Sequence, residues 1–186
     1  MRVWRSEAEY DLGACVAALG MFDGVHIGHQ ALIRRAQALA RELDAVCVVH
    51  TFDRHPLSLL KPERAPKQLI SLEEKLRKFE EMGVDGVLVQ PFTAEFAATD
   101  PQGFLEGLVE KLQLRGIVAG FNYSFGAGGY GNAELIRAEA RRLGYECCII
   151  EPVIEDGETV SSTLVRRLLE AGEDARAGRL LALRVR

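Results

Sequence analysis

Two histidines, His26 and His29, enclose Ile27 and Gly28 in the string VHIGHQ. Imidazoles donate hydrogen bonds to phosphate oxygens, and a glycine beside them lets the backbone come close to a ligand. The pair falls where an apolar run, Cys15–Leu19, gives way to a turn bearing Gly20, Gly24, Gly28 and Asp23. From Gln30 the pattern takes helix period, with Leu32, Ile33, Ala36, Leu39 and Ala40 on one face. A strand feeding a helix N-terminus there makes an anion site, because unpaired N–H groups and the helix dipole both point at it. Zinc is the first alternative, but no Cys or further carboxylate stands at ligand spacing. Histidines with a purely structural role are the second.

The elements that must position this centre alternate along the chain. After the first strand and helix, residues 45–52 form a β-branched run, apolar on both faces as in a covered parallel sheet. Pro56 ends it, and a proline-rich loop runs to Gln68. Ser71 with Glu74 reads as a capping box that launches a helix to about Met82. Residues 85–90 are a third strand, 91–99 a linker carrying Phe92 and Phe96, and Asp100-Pro101 the cap of a helix reaching Leu112. Residues 115–120 are a fourth strand, 132–143 a helix and 145–151 a fifth strand. Ser161 or Ser162 then caps a last informative helix, with Thr163 in its first turn and Arg166 one turn in. The class is α/β: a Rossmann-like five-stranded parallel sheet with helices on both faces and right-handed crossovers, in a single domain spanning 1–186.

Gly126, Gly128 and Gly131 match the spacing of a dinucleotide fingerprint, with Glu151 downstream. Five residues part Gly126 from the end of the strand, where that fingerprint needs an immediate turn, and the stretch occupies the fourth crossover rather than the first. NAD binding is therefore not expected.

The string GMFDGVHIGHQ resembles the His-X-Gly-His signature of the nucleotidyltransferase superfamily. More specifically it is similar to the FAD synthetase (FMN adenylyltransferase) module of bacterial bifunctional riboflavin kinase/FAD synthetases. Three more stretches carry the resemblance. Thr51-Phe52-Asp53-Arg54-His55-Pro56 parallels a Thr-Phe-acid-Pro-His-Pro string, with Arg54 a departure. Gly120-Phe121-Asn122-Tyr123-Ser124-Phe125-Gly126 matches a second string, without the basic residue that often follows in relatives. Ser161-Ser162-Thr163-Leu164-Val165-Arg166 matches the helix that closes the nucleotide site.

The resemblance implies the strand order 3-2-1-4-5 and transfer of an adenylyl group from ATP to FMN, giving FAD and pyrophosphate. It implies His26, His29 and Arg166 as catalytic residues. Gly20, Phe22, Asp23, Gly24, Gly28, Ser161, Ser162 and Thr163 would bind nucleotide together with Arg166. Phe52, His55, Asn122, Tyr123 and Phe125 would bind flavin, with one of Phe92, Phe96 and Phe104 against the ring; His50 reads more as a packing residue. A Mg²⁺ ion would be steadied by Asn122 or, alternatively, Asp23, although Phe-Asp-Gly could be only a turn. Two rivals stay open: a nucleotidyltransferase with another phosphorylated acceptor, and a flavin-binding or regulatory paralogue. The second is motivated by the riboflavin kinase domain, which is absent from these residues and expected in a partner or a separate protein.

Composition narrows the classes. A formal charge of −4 argues against a general binder of nucleic acid or anionic membrane, although six Arg face three acids from Ser161 onward. Cys15, Cys47, Cys147 and Cys148 form no C-x-x-C and lie in apolar runs, reading as buried small hydrophobes of a reducing compartment. With no signal-like N-terminus and no membrane-length apolar run, a cytoplasmic location is expected.

Overall fold

A computed structural model describes residues 1–183, so Arg184 and Arg186 of the basic C-terminal stretch lie outside the described residues. Five strands follow the expected alternation: β2 (Cys15–Leu19), β3 (Val46–Phe52), β4 (Gly86–Gln90), β5 (Leu114–Gly120) and β6 (Glu146–Ile150). They pair in parallel in the expected order. The count of five is corrected to six, because β1 (Arg2–Trp4) pairs in parallel outside β4. Three residues carry no readable periodicity; what fixes β1 is tertiary. The Trp4 ring lies over Gly86, where a Cβ would come within 2.3 Å of it, and meets Tyr10 edge-on at 5.0 Å.

Both faces of β2 are buried, which is why its sequence is apolar without alternation. Cys15, Ala17 and Leu19 face a core shared with α5 (Pro101–Leu112) and α6 (Ala133–Leu143). Val16 and Ala18 face a second core with α1 (Ile27–Glu42) and α3 (Leu72–Glu81). The expected apolar face of α1 is the buried one. Ser71 and Glu74 make the full reciprocal capping box on α3, and Asp100 caps α5 with Pro101 at its first turn.

Some connections carry more structure than expected. The loop from Pro56 contains α2 (Pro56–Leu60) and a 3-10 turn at Pro62–Arg64, and the linker after β4 contains α4 (Ala94–Ala97). Short helices of this length leave no period to read. A two-stranded hairpin, β7 (Ile154–Glu155) with β8 (Glu158–Thr159), precedes α7 (Ser162–Glu170) and α8 (Asp174–Leu181). Cys147 and Cys148 are half-buried rather than buried, because β6 is an edge strand. The α7–α8 pair builds its own small core with Ile27 and Val160. It is tied to the main body from behind: Gln30 Nε2 donates to the Ala182 carbonyl and Lys78 Nζ to the Leu181 carbonyl, each at 2.9 Å. Among the described residues no helix is long and apolar enough to cross a membrane.

Candidate active site

The sheet reverses its winding direction between β2 and β5, and the loop after β2 carries the histidines at that point. This loop is tightly bent: Phe22 and Val25 adopt φ of 53° and 47°, and Gly24 86°. Left-handed conformations in bulky residues are uncommon and persist only where the surroundings hold them; here both side chains are fully buried. His26 is the N-cap of α1, its Nδ1 accepting from the His29 backbone N–H at 3.3 Å. That fixes the His26 ring, which stacks on His29 at 3.6 Å centroid distance with 16° between planes. The edge of Phe22 meets His29 at 5.2 Å from the other side. Gly28 lies close beside this stack: a Cβ there would come 3.2 Å from the His26 ring and press on it.

Both imidazoles are neutral near pH 7. Burial pushes His26 down to about 4. Burial, reinforced by His26 and the Lys75 ammonium, holds His29 well below the ordinary histidine range. His29 Nδ1 is enclosed without a hydrogen-bond partner. A neutral imidazole offers one N–H and one acceptor, so the pair can hydrogen-bond to phosphate oxygens without carrying charge.

The start of α7 faces this loop. Ser161 is its N-cap, accepting from Leu164 N–H at 3.1 Å, and the Ser162 hydroxyl donates to the Asp23 carbonyl at 2.9 Å. Thr163 is exposed beside them. Arg166 pairs with the Asp23 carboxylate and donates from Nε to the Lys67 carbonyl at 2.7 Å. Two of five guanidinium N–H groups are thereby spent, and the others remain for a ligand. The other Asp23 oxygen accepts from Leu69 N–H at 3.0 Å. Asp23 is thus both a turn residue and the anchor that brings Arg166 to the histidine loop. Gly20 sits against the Phe22 ring, 3.0 Å from where its Cβ would be.

The residues that the resemblance assigns to flavin divide into two groups. Phe52 and Phe125 are buried, and Tyr123 stacks on Phe125 at 5.6 Å. Phe104 joins Phe125 at 5.4 Å and Phe96 at 5.9 Å, while Phe52 contacts Phe92 and Phe96. On the linker after β4, Phe92 is buried and Phe96 half-buried. His55 stands apart. It caps α2, Nδ1 accepting from Leu57 N–H at 3.1 Å, and lines a small pocket with Asp23, Asp53, Gln68 and Lys75. Burial and the Arg166 guanidinium lower its pKa, and Asp23 opposes them. Asn122 is exposed after β5. Gly131 is explained by packing, since a Cβ there would be 2.6 Å from the Phe125 ring.

Sequence reasoning missed Lys75. Its Nζ is buried and donates at 3.1 Å to the Met21 carbonyl, the Thr51 hydroxyl and the Phe52 carbonyl. It thereby ties the histidine loop to the end of β3. Burial pushes its pKa down to about 8, against the pull of Asp23 and Asp53. The signal was present: Lys75 lies three residues after Leu72 and four before Phe79, on the stripe α3 buries.

A doubly wound parallel sheet with a histidine- and glycine-bearing loop at its switch point, faced by a second helix start bearing hydroxyls and an arginine, defines an α/β domain whose strand ends converge on the kind of helix N-terminus that suits anions. The chain belongs to the FAD synthetase family, whose model matches residues 8–164. It is 38% identical over 168 residues to a bifunctional riboflavin kinase/FMN adenylyltransferase of Listeria monocytogenes, covering 89% of this chain and 53% of that protein. The Escherichia coli K12 protein of the same name is 37% identical, with 90% and 54% covered. A putative one from Geobacillus thermodenitrificans is 33% identical, with 93% and 92% covered. The chain thus spans about half the length of the first two relatives. Among solved structures, one titled a macrolide-efflux protein from Streptococcus pneumoniae matches with a TM-score of 0.82 at 30% identity, over 96% of this chain and 59% of that one. A pantoate-beta-alanine ligase from Francisella tularensis, at 13% identity and a TM-score of 0.60 over 100% of this chain and 80% of that one, shares the fold.

Proposed function

We propose that the chain transfers the adenylyl group of ATP to the phosphate of FMN, forming FAD and releasing pyrophosphate. One observation carries the reading beside family membership: a neutral, stacked histidine pair at the N-terminus of the 16-residue helix α1, facing Arg166 at the start of α7. An FMN phosphate oxygen attacks the α-phosphorus of ATP, the new P–O bond forms, and the bond to the bridging oxygen of the β-phosphate breaks. The attacking phosphate carries about −1.5 to −2 charge at pH 7 and needs no strong base. What the site must supply is in-line positioning and stabilisation of developing charge.

His26 and His29 donate to α- and β-phosphate oxygens, Gly24 and Gly28 admit the backbone of the loop to the phosphates, and the first turn of α7 with Arg166 receives the departing pyrophosphate. Gly20 and Phe22 support this loop, and Ser161 shapes the helix start from which Ser162 and Thr163 act. Phe52, Tyr123 and Phe125 form the flavin side, with His55 nearer the phosphates. Among the described residues no cluster of three or more His, Cys, Asp or Glu could cage a metal. This donor set fits Mg²⁺ held chiefly by substrate phosphates and water, with Asn122 as the exposed protein oxygen; the ion would supply positive charge at the phosphates. Residues 1–186 are read as the adenylyltransferase module alone. The kinase activity in the relatives' names is not assigned to these residues. The location we propose for this work is the cytoplasm.

Incubation with ATP, Mg²⁺ and FMN, with flavins separated by chromatography, tests the reading. FAD should form with ATP and not with CTP, and His29→Ala should lower the rate on the order of 10²–10³-fold. A His29→Ala protein with undiminished turnover would remove the assignment, and FAD-free product mixtures from the parent protein would remove the reaction.

A further inference from the structure

Among the described residues, five buried side-chain polar atoms lack a hydrogen-bond partner. One is His29 Nδ1 in the phosphate loop. The other four lie around the aromatic cluster: Nδ1 and Nε2 of His50, Oε1 of Gln90 and the hydroxyl of Tyr123. His50 is fully buried in β3, on the same face as Phe52 two residues on, and is met edge-on by Phe52 at 5.4 Å and Phe104 at 5.5 Å. Gln90 is the register partner of Phe52 on β4, and Tyr123 joins the same ring chain through Phe125 and Phe104. Unpaired polar atoms normally avoid such a place, because buried polar groups find partners. Gathered among aromatic faces, they match a ligand that is itself planar and aromatic with a polar edge.

We propose that His50 is a specificity-determining residue that hydrogen-bonds the polar edge of the flavin ring, with Gln90 and Tyr123 beside it. This rests on the FMN reading above. A flavin presents adjacent carbonyl and N–H groups along its pyrimidine edge, and a neutral imidazole, an amide and a phenol complement both. Burial keeps His50 neutral, pushing its pKa down to about 4. The position suits one molecule bridging both sites: Gly20, first residue of the phosphate loop, donates its N–H to the His50 carbonyl at 3.2 Å. Phe96, on the four-residue α4, is the half-buried ring at the rim of this cluster.

The test is His50→Leu beside His50→Gln, with KM for FMN and for ATP, and the melting temperature of the ligand-free protein. A residue that serves packing through satisfied bonds loses stability when made apolar; an unpaired one does not. His50→Leu should melt no lower than the parent, show a KM for FMN raised on the order of ten-fold, and keep its KM for ATP. His50→Gln, which retains a donor and an acceptor, should recover most of the FMN affinity. An unchanged KM for FMN in His50→Leu overturns the inference alone, as does a variant that melts lower with both KM values raised or fails to fold. A parent protein that makes no FAD overturns the FMN reading and this inference with it.

Discussion

Lowering the pH should unfold this protein through its histidines. His26 and His50 are each held at about 4 in the folded state, against about 6.5 in an open chain. Both are held there by desolvation, and His29 is shifted in the same direction. Between these values the unfolded chain binds protons that the native protein does not. The stability is therefore fully present above pH 6.5 and is lost as the pH falls toward 4. Each of the two shifts corresponds to about 3 kcal/mol, and together they approach the whole stability of an ordinary domain, about 5–15 kcal/mol. Urea unfolding followed by fluorescence of Trp4, the single tryptophan and a buried one, gives the free energy at each pH. Near pH 5.5 each buried histidine should contribute a slope of about 1.4 kcal/mol per pH unit. Carboxylates titrate in the same range, so the informative quantity is the difference between parent and His50→Leu, whose curve should be shallower by that one-proton slope. Parallel curves for the two proteins would refute the burial argument for His50.

Lys75→Met should cost about 2 kcal/mol at pH 7.5, since the Phe52 carbonyl and Thr51 hydroxyl lose a donor that Nζ supplies at 3.1 Å. In the parent, stability should also rise from pH 8 to 10.5 as the buried ammonium, depressed to about 8, sheds its proton; denaturation at pH 7.5 and 10 should show that increment missing in the variant. Gly24→Ala should lower stability by about 1–2 kcal/mol, mainly from φ of 86°, because the Cβ contacts at 2.9 and 3.0 Å are to the flexible ends of Leu181 and Leu69. A calorimetric scan that leaves the melting temperature in place would refute the strain. Arg166→Lys keeps charge but not the planar fork that spans Asp23 and the Lys67 carbonyl, and steady-state kinetics should show a rate loss on the order of 10²-fold.

The parallel sheet was legible because β2 and β3 are covered on both faces: β2 is written as an unbroken apolar run, and β3 is apolar apart from His50 and Thr51. The helix starts were legible where a short polar side chain sits at the cap, as at Ser71, Asp100, Asn132 and Ser161. At α1 the cap is His26 itself, so one residue serves helix start and ligand loop together. Pairings across the chain left no local trace: Asp23 and Arg166 are 143 positions apart, and nothing near either announces the other. Lys75 was hidden by its type, since a lysine on a helix is read as solvated until the positions around it are shown to be buried. Position in the chain favours His55, near a strand end, over His50, within a strand. Side-chain partners reverse the interest of the two, because His55 Nδ1 is occupied as a cap while both His50 nitrogens are unmatched.

The tie between the last helix and the first has a dynamic consequence. Helix ends ordinarily fray, and their amides exchange with solvent freely. Here the final turn of α8 is held through side chains of α1 and α3, with Gln30 reaching Ala182 across 152 positions of sequence. Gln30 follows His29 directly, so whatever steadies the first turn of α1 also steadies the amides at the far end of the described chain. Deuterium uptake in the peptide around Leu180 therefore becomes a distant gauge of occupancy at the histidine loop, readable without a label in the site.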